Sequence, residues 1–284
     1  MRAVLFSLLL AAIACAPEYQ IGNKPPEPEP PVDTAPEPEP EIPAEPGVAP
    51  VAVCSATPNP VRPPFETATW LGRDSYSPSG KAITRAQWRL TSKPVGSAAV
   101  MPGGDTINRQ GFVPDLAGVY KAELRVYDAD GLVSEVCETE LEAVPSQSLW
   151  VELFWTHDND DLDLHLVRDG GRKETQDDCY YSNCVRGGPD WGVRGEQADN
   201  PRLDLDDRPN VGPENINIDA PGDPGFTVYV HDYPGHTYQG ANEATVNIYL
   251  DGQLVWTDTR TISGESSWTE YAHIDWAARS VQSR

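Results

Sequence analysis

Tyr120-Lys121-Ala122-Glu123-Leu124-Arg125-Val126 alternates apolar and charged side chains without a break. A period of two puts Tyr120, Ala122, Leu124 and Val126 on one face and Lys121, Glu123 and Arg125 on the other, which is the pattern of a half-buried antiparallel strand. Upstream, Ile83, Ala86, Trp88 and Leu90 roughly alternate with Arg85, Gln87 and Arg89, and turn signals at Ser79-Gly80, Gly103-Gly104 and Asp130-Gly131 separate the runs. Downstream, Leu149, Val151, Leu153 and Trp155 alternate with Trp150, Glu152 and Phe154, so this strand is expected to be buried on both faces. Leu162, Leu164 and Leu166 alternate with Asp163 and His165, and Phe226, Val228 and Val230 form a further run. Val246, Ile248 and Leu250, then Asp251-Gly252, then Gln253 to Trp256 read as a hairpin with a two-residue turn. The expected fold class is all-β, with two β-sandwiches over residues 50–146 and 147–284.

In the first sandwich, Asp115-Leu116-Ala117-Gly118-Val119-Tyr120 resembles the turn into strand F of immunoglobulin-like domains, with Tyr120 as the tyrosine corner and Trp88 as the strand-C tryptophan. Together with Asp74-Ser75-Tyr76-Ser77-Pro78 and Val126-Tyr127-Asp128-Ala129-Asp130-Gly131, the segment is similar to the PKD (polycystic-kidney-disease) repeat family. That resemblance implies a spacer or adhesion module and no chemistry. In the second sandwich, Asp161-Leu162-Asp163-Leu164-His165, Leu203-Asp204-Leu205-Asp206-Asp207, Gly212-Pro213-Glu214-Asn215-Ile216 and Val228-Tyr229-Val230-His231-Asp232-Tyr233 resemble a family of uncharacterised β-sandwich domains of exported bacterial proteins. This likeness implies the fold and no settled activity.

The chain starts with Met1-Arg2, an apolar run from Ala3 to Ala14, and Cys15. A basic start followed by a short apolar core is a secretory signal, and the run is too short for a membrane span of ~20 residues. Ala12-Ile13-Ala14-Cys15 resembles the lipobox of bacterial lipoproteins, with Ala12 where Leu is usual. The resemblance implies a signal peptide over residues 1–14, acylation (palmitate among the chains) of Cys15, and a lipid-anchored place in the envelope. Ala16, a non-acidic neighbour, points to the outer membrane. Several acyl chains, at ~0.8 kcal/mol per buried methylene, anchor far more firmly than one. Residues 15–49 continue as a linker dominated by Pro and Glu, such as Pro36-Glu37-Pro38-Glu39-Pro40-Glu41. Proline removes donors and like charges repel, so no core forms. At ~3.1 Å per residue an extended polyproline-type stalk would reach on the order of 100 Å.

Apart from Cys15, four cysteines remain, an even number in an exported chain, which suggests two disulfides out of three pairings. Keeping each bond within one domain pairs Cys54 with Cys137 and Cys179 with Cys184. A cysteine zinc site would need ligand pairs at finger-like spacing, which the sequence lacks.

The formal charge is -23, of which residues 147–284 carry -15, with 18 Asp against 7 Glu. An acidic surface disfavours nucleic acid and anionic lipid as partners. Aspartate suits turns and cation-binding loops, because its short side chain holds oxygen close to the backbone. Asp158, Asp160, Asp161 and Asp163 crowd the end of one strand, Asp204, Asp206 and Asp207 form a second group, and Glu214-Asn215 adds oxygen donors. The expectation is that these residues converge on calcium and order the long polar stretch from Arg168 to Asn215. The spacing is not an EF-hand, since Asp163 stands where its glycine must be. Solvated turn acids are the alternative. Six of the eight tryptophans fall after residue 147. Trp191, flanked by Gly188-Pro189-Asp190 and Gly192, is expected with Tyr180 and Tyr181 at an exposed ligand surface. His157, His165, His231, His236 and His273 show no ligand spacing, and His165 and His231 are expected as satisfied buried groups beside acids. No Gly-x-Ser-x-Gly is present, and no pair of acids stands out for glycosidase chemistry.

The sequence therefore points to a non-catalytic envelope lipoprotein that binds a glycan or protein ligand. A structural or assembly component without soluble ligand is the alternative from another class, and a hydrolase or its accessory is the third.

Overall fold

The computed structural model describes residues 47–284 apart from 105, 186 and 208–210. The signal peptide, Cys15 and the stalk as far as residue 46 lie outside the described residues. The described chain is all-β.

The first sandwich contains β1 (Ser55–Thr57), β2 (Ala68–Leu71), β3 (Ile83–Ser92), β4 (Arg109–Phe112), β5 (Gly118–Asp128) and β6 (Cys137–Ala143). One sheet has the order β1-β2-β4 and the other β3-β5-β6. The alternation in β5 is realised as expected, with Tyr120, Ala122, Leu124 and Val126 all buried. They pack against Trp70, Trp88, Phe112 and Leu141. Trp88 donates its indole N–H to the Ile107 carbonyl at 2.8 Å, so its one polar atom is satisfied. The Tyr120 hydroxyl turns back on Leu116, donating to its carbonyl at 2.9 Å and accepting from its N–H at 3.1 Å. A Cys54–Cys137 disulfide ties the entry of β1 to the start of β6.

The second sandwich contains β7 (Leu149–Trp155), β8 (Leu162–Arg168), β9 (Asp178–Cys179), β10 (Arg202–Leu205), β11 (Glu214–Ile218), β12 (Gly225–Asp232), β13 (Asn242–Leu250), β14 (Gln253–Ile262), β15 (Trp268–Asp275) and β16 (Ser280–Ser283). Its two sheets have the orders β10-β11-β7-β13-β14 and β16-β15-β12-β8-β9. The core between them holds Val151, Leu153, Leu164, Leu166, Phe226, Val228, Val246 and Ile248 among others. The Asp251-Gly252 hairpin forms as expected, with φ of 50° and 76° and Leu250 opposite Gln253. The stretch from Arg168 to Asn215 is less bare than its composition suggests. It carries β9 and β10, runs into β11, and is closed by the Cys179–Cys184 disulfide.

Strand β7 is buried along its whole length, and the two faces are covered by different parts of the molecule. Leu149, Val151, Leu153 and Trp155 enter the second core. Trp150 packs with Ala117 and Tyr249, and Ala117 belongs to the first sandwich. Phe154 lies against Gly96, where an added Cβ would come within 2.2 Å of its ring and φ is +82°. Only glycine fits that approach. Glu152 is fully buried at the same seam and accepts from the Ala117 N–H at 2.7 Å and the Trp150 indole at 2.9 Å. Burial pushes its carboxyl up to about 7 despite those donors.

Candidate functional site

Strand β8 turns its leucines into the core, so Asp163 and His165 project from the opposite face of their sheet. Register then decides what they meet. Asp163 is paired with His231 and His165 with Tyr229 on β12, and His231 is in turn opposite Trp268 on β15. Asp178 on β9 is paired with Val167, two residues along from His165 and on the same face. An outer sheet face that would ordinarily meet water thus carries two acids, two histidines and a tryptophan. Asp163, His165 and Asp178 are all nearly inaccessible.

Rings cover this face. Tyr180 stacks on His165 at 5.0 Å, and Trp268 stacks on His231 at 4.2 Å. Tyr181 meets Tyr180 and Tyr233 edge-on at 5.3 and 5.5 Å. Lys173 lies 4.2 Å from the Trp268 ring centre, adding a cation–π contact. The disulfide-closed turn at Cys179 to Cys184 holds the two tyrosines in place. Here His165 Nδ1 pairs with Asp178 Oδ2 at 2.7 Å, and Asp178 also accepts from the Glu174 N–H at 2.8 Å. Burial raises the Asp178 carboxyl above its usual range, and the His165 contact opposes that rise.

Beside this face the two sheets are bridged by a carboxylate. Strand β9 covers only Leu166 and Val167 of β8, which leaves the Leu164 N–H without a strand partner. Glu214, at the start of β11 in the other sheet, supplies it with Oε2 at 2.7 Å. Its other oxygen, Oε1, is buried without a hydrogen-bond partner among the described residues. One oxygen each from Asp161, Asp163 and Glu214 lie within 4.8 Å of one another, and all three residues are buried. Burial, then the charges of Asp163, Asp206 and Asp161, drive the Glu214 carboxyl well above the usual range. His236 Nε2 closes the outer side, 3.1 Å from Asp161 Oδ2.

Of the nine residues expected at a calcium site, the structure therefore brings Asp161, Asp163 and Glu214 together, with Asp206 close enough to act on Glu214. Asp160, Asp204 and Asn215 are employed elsewhere. Asp160 accepts from the Asp161 N–H and from Asn242 Nδ2, which organises the turn. Asp204 accepts from Asn217 Nδ2, and Asn215 donates to the Val151 carbonyl and accepts from Asn217. Asp158, Asp206 and Asp207 line a cleft of about 740 Å³ that also touches Ala98 and Asp115 of the first sandwich.

Trp191 corrects the expected ligand surface. It is 1 % exposed, stacks on Phe226 at 5.8 Å and donates its indole N–H to the Gln176 carbonyl at 2.7 Å. The turn residues around it bend the chain inward, so the ring fills the core. Tyr180 and Tyr181 stay half-buried at the rim, with Tyr233 beside Tyr181. His165, His231 and Asp178 were missed as a group. The readable signal was their phase: each histidine is a polar residue at an out-of-core position of an otherwise apolar strand.

No protein-family model and no curated protein matches the chain. Among solved structures, an endo-fucoidan hydrolase, MfFcnA9 of glycoside hydrolase family 107, is similar at 17% identity over 72% of this chain and 32% of its own, with a TM-score of 0.23. A likeness that slight carries no argument about fold or activity.

Proposed function

We propose that this chain is a non-catalytic lipoprotein of the bacterial envelope, anchored through Cys15, whose second sandwich binds calcium and presents a tyrosine rim to a glycan or protein ligand. The supporting observation is the convergence of Asp161, Asp163 and Glu214, three buried carboxylates with one oxygen of Glu214 left without a hydrogen bond among the described residues. Carboxylates this close repel, and burying a charge costs several kcal/mol unless a partner joins it. Calcium takes six to eight oxygens, so three carboxylates with Asp206 nearby and waters from the rim make a suitable donor set. An ion there would tie β8 to β11 across the open end of the sandwich. It would also brace the segment carrying Tyr181 and Tyr233, whose rings offer flat, half-exposed surfaces of the kind that stack on sugars. The stalk gives reach and the first sandwich serves as a spacer.

Calorimetric titration tests the ion. Calcium added to chelator-treated protein is expected to bind at one site, and Glu214→Gln to abolish the heat. Equal heats from the native and Glu214→Gln proteins, or none from either, overturn the calcium site. A glycan array probed with and without calcium tests the ligand: spots that need calcium support a glycan, whereas a blank array alongside specific copurification of an envelope protein moves the reading to a protein ligand. Detergent phase partitioning tests the anchor, since Cys15→Ser should move the protein into the aqueous phase.

A further inference from the structure

The oxygen cluster leaves the two histidines unused, although they stand on the same face. One ligand atom each from Asp163, His165 and His231 lie within 4.8 Å of one another, and all three residues are buried. We infer that Asp163, His165 and His231 form a second, separate cation site, built for a divalent transition metal of the zinc type rather than for calcium.

Four observations support this. The donors are two imidazole nitrogens and one carboxylate oxygen, a set that suits zinc and its neighbours, while calcium takes oxygen almost alone. His165 is oriented from behind. Its Nδ1 is held by Asp178 at 2.7 Å, which leaves the lone pair on Nε2, and Nε2 is buried without a hydrogen-bond partner among the described residues. A carboxylate behind a histidine in this way fixes its tautomer and raises its basicity toward a metal. Both ring planes are clamped, His165 by Tyr180 and His231 by Trp268, so the donors are set before any ion arrives. His231 Nδ1 stands 3.6 Å from Asp163 Oδ2, beyond a good hydrogen bond but within the span of two ligands on one ion.

Three protein ligands leave a fourth position for water or a ligand atom. Asp163 belongs to both groups, and its two oxygens allow one carboxylate to serve both ions. The inference does not need calcium in the neighbouring group, because the two histidines and Asp178 lie outside it.

Cobalt(II) is the probe, since a four- or five-coordinate cobalt site absorbs strongly in the visible and an octahedral aquo ion does not. Chelator-treated native protein should develop that absorption with one equivalent of cobalt and lose it on adding zinc. His165→Gln and His231→Gln should each abolish the band while keeping the calcium heat of the native protein. Asp178→Asn, acting through His165, should bind cobalt about tenfold or more weakly with the band shape retained. Asp163→Asn should lose both responses. His231 lies nearer the rim than His165, so its variant keeps the test open if His165→Gln fails to fold. A cobalt spectrum that stays octahedral in folded native protein, or an unchanged band in His231→Gln, overturns the site, and a calcium heat without a cobalt band leaves only the calcium reading standing.

Discussion

The outer faces of two sheets in this molecule treat charge in opposite ways. On β3-β5-β6 of the first sandwich, the outward side chains are paired ions in water, such as Arg89 with Glu123 at 2.8 Å, where the arginine side chain is 71 % exposed. On β16-β15-β12-β8-β9 of the second, the outward side chains include Asp163 and His165, and rings shut them away from water. Both faces are drawn from strands with the same period of two. The difference is what lies above them: solvent over β5, and a disulfide-closed, tyrosine-bearing loop over β8. Solvated charge needs no further partner. Buried charge does, and that requirement turns the second face into a candidate site while the first remains a scaffold surface.

The largest expected effect tests what holds the scaffold side together. Cys54 and Cys137 are 83 residues apart, and closing a loop of that length restricts the unfolded chain by about 4 to 5 kcal/mol in the entropy model. Replacing both by serine should therefore lower stability by that order in denaturant titration; a loss below ~1 kcal/mol would mean that the sheets hold without the bond. Next in size is the buried pair. Asp178→Ala leaves the His165 Nδ1–H without its acceptor in a dry site and should cost about 3 kcal/mol by the same measurement. If it cost no more than a surface pair, the contrast between the two faces would collapse.

A comparable effect is carried by Glu152 at the seam between the sandwiches. Its folded carboxyl titrates near 7, above the ordinary 4.5, so between those values the folded state holds more protons than the unfolded one. Stability from this group is full below pH ~4.5, falls as pH rises, and flattens above ~7, a loss of roughly 3 kcal/mol. Unfolding curves across this range should show that slope in the native protein and a weaker one in Glu152→Gln; parallel curves would mean that Glu152 is ionised throughout. The smallest change is expected at Arg89→Ala, within about 0.5 kcal/mol, because water screens that pair. A cost above ~2 kcal/mol there would show that the exposed face is not the passive surface described.

The architecture was readable from local pattern because burial in a strand repeats every second residue. The runs at Tyr120, Leu149, Leu162, Phe226 and Val246 all form strands, and Asp251-Gly252 turns where its φ preferences require. Part of the acidic cluster was also readable, since Asp161 and Asp163 stand two residues apart and Glu214-Asn215 opens the alternating stretch Ile216-Asn217-Ile218. What could not be read was tertiary register. His165 and His231 meet only because β8 pairs with β12 in one particular alignment. Asp160, Asp204 and Asn215 looked like ligands because their chemistry is right, yet turn and sheet partners take up their polar atoms. Trp191 misled for the opposite reason: Gly and Pro around it signal a loop, and they say nothing about which way the loop turns its largest ring.

The central claim, that the buried carboxylates of the second sandwich exist to hold a cation, is tested most directly by thermal melting of the chelator-treated protein with and without millimolar calcium. A ligand bound at a hundred times its dissociation constant stabilises by about 2.7 kcal/mol, so the account predicts a melting temperature several degrees higher with calcium in the native protein and no shift in Glu214→Gln. An unchanged melting temperature in the native protein, or the same shift in Glu214→Gln, would contradict it.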